Sequence, residues 1–308
     1  MKKTKLLSGM AVAAMATLLL AGCSSDQDKE TSKDSAASTE QVASSSEAGT
    51  EESAVAEKVA GADLQDGTYK LEEKNESNGY RTVFSIDVKD GKITASNFDY
   101  LDADGNSKKD NKEYNDNMKA KSGVGPSEFI PALNEALVAS QSAGVEVVTG
   151  ATHSSHSFIN YAQQLIQAAQ AGNTETIEID NGADLVDGTY KLEEKNESNG
   201  YRTVFSIDVK DGKIATSNFD YVNAEGNSKK DDAEYNEMMK EKAGVSPEEF
   251  IPALNEALVK AESVGDVEVV TGATHSSHSF QMYAEQLVNA AEKGDTTTIE
   301  VDNIVMAK

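Results

Sequence analysis

The sequence predicts an α+β fold built twice in tandem, each copy an antiparallel sheet with helices packed on it. A long stretch of the chain recurs almost unchanged, which indicates a duplicated domain. Within each copy, residues that alternate between apolar and polar come first, and residues with helical spacing follow. Strands grouped before helices are typical of α+β domains.

One run of residues shows the duplication. The sequence DGTYKLEEKNESNGYRTVFSIDVKDGKI occurs at residues 66–93 and again, unchanged, at 187–214. Similarity continues through VEVVTGATHSSHSF to a closing TIEID or TIEVD, with one residue inserted near Asp266. A period of about 120 residues is that of a domain rather than of a solenoid repeat. The predicted domains are 63–181 and 182–308.

The strands of one copy follow from alternation. Tyr69 and Leu71, and then Phe84, Ile86 and Val88, alternate with polar residues as in half-buried strands. The turn KDGK and the stretch KITASNFDY predict a hairpin and its return strand. The polar loop DADGNSKKD lacks the glycine and the distal glutamate of a calcium loop at the required spacing.

Three helices and a last strand complete the copy. EYNDNMKAK predicts the first helix and PSEFIPALNEALVAS the second, with Pro126 in its first turn. In SFINYAQQLIQAAQAG, Phe158, Ala162 and Leu165 share one face, and Gly172 is placed to end the helix. TETIEID predicts the last strand.

Residues 1–22 have the pattern of a bacterial signal peptide. Three lysines precede an apolar run that is too short for a stable membrane span. The run ends in Leu-Ala-Gly-Cys, which resembles the bacterial lipoprotein box, so Cys23 is predicted to be diacylated and to become the first mature residue. Cys23 is the only cysteine, so lipidation excludes disulfides and thiolate chemistry. Two acyl chains predict stable anchoring to a cell membrane.

Residues 23–62 are predicted to be a flexible stalk. They contain no aromatic and few large aliphatic residues, so they cannot bury enough apolar surface to offset the entropy of ordering. The whole chain has a formal net charge of −25, which disfavours binding to nucleic acid.

One duplicated stretch, VVTGATHSSHSF, contains every histidine of the chain. The valines at 145–148 predict a short strand before it, and a helix is predicted to begin near 154–157. This places Thr152 just before a helix N-terminus, where free N–H groups and the helix dipole favour an anion, above all a phosphate. The histidines are His153, His156, His275 and His278.

Several interpretations of this stretch stay open from the residues alone. The serines and Thr152 are suited to simple capping of a helix. His153 and His156 suggest a metal, but two ligands per domain are too few for a structural site unless the pairs cooperate across domains or recruit a carboxylate. Serine-type acyl hydrolysis lacks its GxSxG context.

The segments DGTY, DGKI and VVTGATHSS resemble the FMN-binding domain family over about residues 63–308. That family includes the covalently flavinylated subunit of sodium-pumping quinone reductase and extracellular flavin lipoproteins of Gram-positive bacteria. The resemblance implies that Thr152 and Thr274 accept FMN through phosphoester bonds, made by a Mg-dependent flavin transferase that uses FAD. The rest of the recognition motif would be Thr149, Gly150 and Ala151, with Thr271, Gly272 and Ala273 in the second copy. Glu146 and Glu268 stand where the family usually has aspartate.

The resemblance also implies a role. The mature protein is expected to be lipid-anchored on the extracellular face of a Gram-positive cell, and to be an electron carrier rather than an enzyme with its own substrate pocket. Two covalent FMN groups would take electrons from a membrane NADH- or quinone-linked reductase and pass them to extracellular acceptors such as ferric iron. The end of the signal peptide, AMATLLLAG, also has the hydrophobic character of peptide pheromones released by related lipoproteins. A non-redox binding or adhesion lipoprotein is the alternative.

Overall fold

Two four-stranded sheets organise the part of the chain that the computed structural model describes, residues 58–261 and 263–307. The predicted signal peptide, Cys23 and most of the predicted stalk lie outside these residues. Among the helices described, none combines the length and the apolar character that crossing a bilayer requires.

The elements occur in the same order in both repeats. The strands are β1 (Lys58–Ala60), β2 (Gly67–Glu73), β3 (Arg81–Lys89), β4 (Lys92–Leu101), β5 (Ile177–Ile179), β6 (Gly188–Glu194), β7 (Arg202–Lys210), β8 (Lys213–Val222), β9 (Ile299–Val301) and β10 (Val305–Met306). The helices are α1 (Lys112–Ser122), α2 (Pro126–Ser140), α3 (Thr152–Ala171), α4 (Ala233–Ala243), α5 (Pro247–Lys260) and α6 (Thr274–Lys293).

Each sheet is antiparallel except at one edge. In the first repeat β3 lies between β4 and β2 and pairs antiparallel with both, whereas β5 pairs parallel with β2, with Leu71 opposite Ile177. The second repeat repeats this order as β8-β7-β6-β9. The predicted antiparallel sheet with packed helices is confirmed, but its last strand is parallel, because the intervening helices form the long crossover that a parallel pair needs.

Alternation along the strands places one face of each sheet against the helices. Residues of β3 alternate between buried and partly exposed, with Phe84 and Ile86 at most 2% exposed. Phe84, Phe98 and Phe158 meet beneath α3 with ring centroids 4.9–5.2 Å apart. Such aromatic pairs add about 0.5–1.5 kcal/mol each beyond their burial, so this cluster fixes α3 on the sheet.

Local signals set the ends of the elements. Asp90 and Gly91 join β3 to β4 with φ values of 52° and 70°, as a two-residue type I′ hairpin requires. The carboxylate of Glu128 accepts the N–H of Gly125 at 3.1 Å at the start of α2. Gly172 ends α3 in the left-handed conformation, with φ of 67°.

The end of the predicted stalk is ordered, contrary to the sequence prediction that it extends to residue 62. Residues 58–60 form β1, which pairs antiparallel with β10. Gly61 has φ of 94°, and a Cβ there would lie 2.9 Å from the Cα of Ile304. The amino-acid composition did not predict this strand, because main-chain pairing with β10 rather than side-chain burial orders the segment.

Residues 58–307 form one compact unit that contains both repeats. Helices α3 and α6 contact each other, and the rings of His156 and His278 lie 6.3 Å apart across this contact. The Gln170 amide of α3 donates to the Asp302 carbonyl at 2.7 Å. The two long helices are therefore packed against each other rather than separated by a linker.

Candidate functional site

The duplicated stretch lies in the loop that leads into α3, and the short strand predicted at 145–148 is absent there. The N–H of Val148 is donated to the hydroxyl oxygen of Ser155 at 3.0 Å, and that of Val145 to the Ala143 carbonyl at 2.8 Å. Both of these N–H groups thus have local acceptors, and Val145 and Val148 pack on the core without a strand partner.

Helix α3 begins at Thr152, earlier than the sequence predicts. Ala151 precedes the first turn, and its carbonyl accepts both the N–H and the hydroxyl of Ser155 at 2.9 Å. No side chain caps this end of the helix, so the open alternative in which Thr152 or the serines cap it is wrong. Thr152 is instead the first helical residue, and its side chain is exposed.

A glycine is required at position 150, both by the backbone conformation there and by a neighbouring carbonyl group. Its φ is 83°, and a Cβ at this position would lie 2.1 Å from the carbonyl oxygen of Ser122, the last residue of α1. Gly272 has φ of 84° and the same conflict, at 2.2 Å from the Ala243 carbonyl at the end of α4. A side chain at either position would push the loop off the helix beneath it.

The second repeat reproduces the arrangement. Thr274 is the exposed first residue of α6. The Ser277 hydroxyl lies 3.0 Å both from the Val270 amide nitrogen and from the Ala273 carbonyl. The other predicted motif residues divide into exposed threonines, Thr149 and Thr271, and buried alanines, Ala151 and Ala273; Glu146 and Glu268 are exposed.

The electrostatics at both helix starts suit an anion. The first N–H groups of an α-helix have no partner within the helix, and the dipole adds positive potential there. Neither α3 nor α6 has an acidic residue in its first turn. A phosphate joined to the Thr152 or Thr274 hydroxyl would therefore lie at a favourable helix terminus, so the residues present fit a phosphate-bearing cofactor.

The four histidines differ in environment. His153 and His275 are exposed, whereas His156 is half-buried opposite His278. Burial lowers the pKa of His156, and the nearby His278 and His153 lower it further. Within residues 58–261 and 263–307 no three His, Cys, Asp or Glu side chains form a metal-binding group.

Two sets of hydrogen bonds that stabilise the region around Thr152 were not predicted from the sequence. Ser155 and Ser277 are fully buried and fasten the loop to the helix, although their place inside a serine-rich stretch gave no sign of this. Beneath α3, the Tyr161 hydroxyl donates to the Glu73 carboxylate at 2.7 Å, and the same carboxylate accepts the Thr82 N–H at 2.7 Å. Spacing along the chain does not reveal such long-range pairs.

Comparison with known proteins decides the family. The model of the FMN-binding domain matches residues 79–167, from the end of the β2–β3 connection into α3. The 15 kDa lipoprotein of Treponema pallidum is 32% identical over 116 residues, which are 37% of this chain and 82% of that protein. The chain belongs to the FMN-binding domain family. This confirms the resemblance seen in the sequence, and it supports FMN as the ligand.

Solved structures also match parts of this FMN-binding domain protein. A crystal structure of a protein from Clostridium perfringens is 37% identical and covers 38% of this chain and 97% of its own, with a TM-score of 0.37. A solution structure of a protein from Clostridium thermocellum is 22% identical and covers 34% of this chain and 92% of its own, with a TM-score of 0.24.

Proposed function

We propose that the mature protein is a membrane-anchored extracellular flavoprotein with FMN bound covalently at Thr152 and Thr274. It transfers electrons from a membrane NADH- or quinone-linked reductase to extracellular acceptors such as ferric iron. It is a carrier and the protein substrate of a flavin transferase, not an enzyme with its own substrate. When bound, FMN supplies the redox chemistry, while the protein binds and orients it.

The observation that carries the proposal is the exposed hydroxyl of a threonine at the first position of a 20-residue helix, present twice in a chain of this family. In the attachment reaction the threonine oxygen loses its proton and bonds to the FMN phosphorus of FAD, and AMP leaves. The first-turn N–H groups and the helix dipole would stabilise the charge of a phosphate attached at this threonine.

Three features of the loop support this attachment. Gly150 lets the backbone turn above the end of α1, and Ser155 fixes the loop to the first helical turn. Thr152 is left exposed beside them, so a transferase can reach its hydroxyl. The equivalent residues of the second repeat are Gly272, Ser277 and Thr274.

The N-terminal sequence and the relative support the proposed location. The Leu-Ala-Gly-Cys box predicts lipid on Cys23, and the Treponema pallidum relative is named a lipoprotein. A covalent bond has a physical reason outside the cell, because a cofactor bound with micromolar affinity dissociates when its free concentration is low.

Electron transfer is tested on the lipoprotein purified from cells that contain the transferase. The wild type should show flavin absorbance, lose it on reduction by a quinol-coupled membrane fraction, and regain it when a ferric chelate is added. The double variant T152A/T274A should be colourless and inert in the same assay. A wild type that carries flavin but exchanges no electrons with either partner would contradict the carrier role, and a colourless wild type would favour the non-redox binding or adhesion alternative.

We propose in addition that the signal peptide is a source of a peptide pheromone, because its end, AMATLLLAG, is apolar and small. This role uses residues outside the described structure and is independent of flavin. Recipient cells should respond to a synthetic peptide of residues 15–22, and no response to it would count against the role.

A further inference from the structure

An ammonium group lies among three tyrosine rings in each repeat. In the first, the Nζ of Lys108 is 5.0 Å from the centroid of Tyr80, 4.7 Å from that of Tyr100 and 4.4 Å from that of Tyr114. We call these four residues the caged-lysine cluster. Each ring lies within the range in which its quadrupole attracts a cation.

The second repeat builds the same cluster from the equivalent residues, each 121 positions further along the chain. Lys229 Nζ is 5.0, 5.1 and 4.2 Å from the rings of Tyr201, Tyr221 and Tyr235. Three of the five tyrosines of each repeat are therefore used to surround one lysine.

The charge of the caged lysine is left available. The next lysine along the chain, Lys109, pairs with Asp99, and its counterpart Lys230 pairs with Asp220 at 2.5 Å. Lys108 and Lys229 form no salt bridge among the described residues, although the chain has a net charge of −25. In the second repeat the Asp232 carboxylate accepts the Tyr201 hydroxyl at 2.7 Å and interacts with the charge of Lys229. The tyrosines hold the ammonium without neutralising it, and Lys108 is only half-buried.

The cluster belongs to the same region as the attachment threonine. The Tyr100 ring packs on the Phe98 ring with centroids 5.0 Å apart, and the Phe98 ring packs on Phe158 of α3, the helix that begins at Thr152, at 5.1 Å. Burial raises the pKa of Tyr100. Gly150 rests on Ser122 at the end of α1, and Tyr114 is in the first turn of the same helix. Ser122 lies eight positions after Tyr114 in α1, about 12 Å along the helix axis at 1.5 Å per residue.

We propose that the caged-lysine cluster is the second contact of the attached FMN, beyond the covalent bond, and that it takes the isoalloxazine end. This inference rests on the proposed attachment at Thr152. Tyrosine rings offer stacking surface to an aromatic ligand. A positive charge near the flavin ring stabilises the negative charge gained on reduction and so raises the reduction potential. Lys108 is thus a positioning and tuning residue for the first flavin, and Lys229 for the second.

The experiment uses the full chain with T274A, so that only the first repeat is loaded, co-expressed with the flavin transferase. K108Q removes the caged charge. K112Q is the matched control, because it removes the same charge four residues away, from a lysine whose side chain is 85% exposed. Y114L removes one ring and Y114F keeps it. Intact mass reports attachment, redox titration reports the potential, and fluorescence per attached flavin reports stacking.

All variants should carry one FMN by mass. K108Q should disfavour flavin reduction about tenfold in equilibrium constant, because a positive charge beside the ring is lost, with K112Q close to the parent. Y114L should increase fluorescence per flavin, and Y114F should not. If the parent carries FMN but K108Q has the same reduction potential as K112Q, and Y114L the same fluorescence per flavin as Y114F, this inference is wrong. The proposed attachment would then still stand. A parent without FMN would overturn the proposed attachment and this inference together.

Discussion

The hydroxyl oxygen of Ser155 accepts the N–H of Val148 at 3.0 Å. A side chain of the first turn of α3 therefore holds the loop that precedes its own helix. The same hydroxyl donates to the Ala151 carbonyl at 2.9 Å. Thr152 lies between Val148 and Ser155 along the chain, and its side chain is left exposed. The geometry of the proposed attachment site therefore depends on this buried serine as well as on the threonine.

Replacing Ser155 with alanine should therefore loosen the loop. Val148 would lose its acceptor, and the loss of one partner of a buried hydrogen bond costs about 1–3 kcal/mol. Urea unfolding should show this loss of stability, and FMN attachment at Thr152 should slow. S157A is the control, because Ser157 is half-buried in the same turn. Equal stability of S155A and S157A would show that the serine does not fix the loop.

Replacing Gly150 with alanine should disrupt the first site and leave the second intact. Gly123 supplies a matched control, since its φ is 84° against 83° for Gly150, and a Cβ there meets nothing within 4 Å. G123A should lose about 1–2 kcal/mol from the left-handed backbone alone. G150A should lose about 1–3 kcal/mol more from the clash with the Ser122 carbonyl.

Chemical denaturation of G150A and G123A, with the intact mass of each, checks this prediction. FMN attachment should fall at Thr152 in G150A and remain normal in G123A. If both variants lost the same stability and kept normal attachment, the contact between Gly150 and α1 would not matter.

Glu285 should make stability depend on pH. It lies in the cleft between α3 and α6 with His153 and His156, and burial, followed by Glu292, raises its pKa from 4.5 to about 7. Between these values the folded protein keeps the proton while the unfolded chain releases it. The folded state is thus disfavoured as pH rises from 4.5 to about 7.

Glu285→Gln should remove this dependence and stabilise the protein above pH 7 by about 1–3 kcal/mol. Unfolding measured from pH 4 to 8 tests it, with E268Q as the control because Glu268 is exposed. Parallel pH profiles for E285Q and the wild type would contradict the assignment.

The repeats, the strands and the helices were predictable because each has a local signal. Alternation marked Phe84 and Ile86, helical spacing marked Phe158, and KDGK marked a hairpin that forms with Asp90 and Gly91 at positive φ. The motif threonines could be picked out because a family pattern is a pattern of sequence order, and their role as attachment sites stays a prediction.

What the sequence did not predict depends on contacts between distant residues. The valines at 145–148 looked like a strand, yet the N–H of Val145 bonds within the loop and that of Val148 bonds to Ser155 of α3. Nothing at residues 58–60 signals pairing with β10, since backbone groups make the contact. The cage around Lys108 needs three tyrosines from separate elements, and the approach of His156 to His278 needs the packing of two repeats.

Intact mass spectrometry of the lipoprotein, made in cells that contain the flavin transferase, tests the central proposal most directly. The wild type should carry two FMN groups. T152A and T274A should each carry one and the double variant none, whereas T152S should keep both because serine retains the hydroxyl. A wild type without FMN, or alanine variants that still carry two groups, would contradict covalent attachment at these threonines.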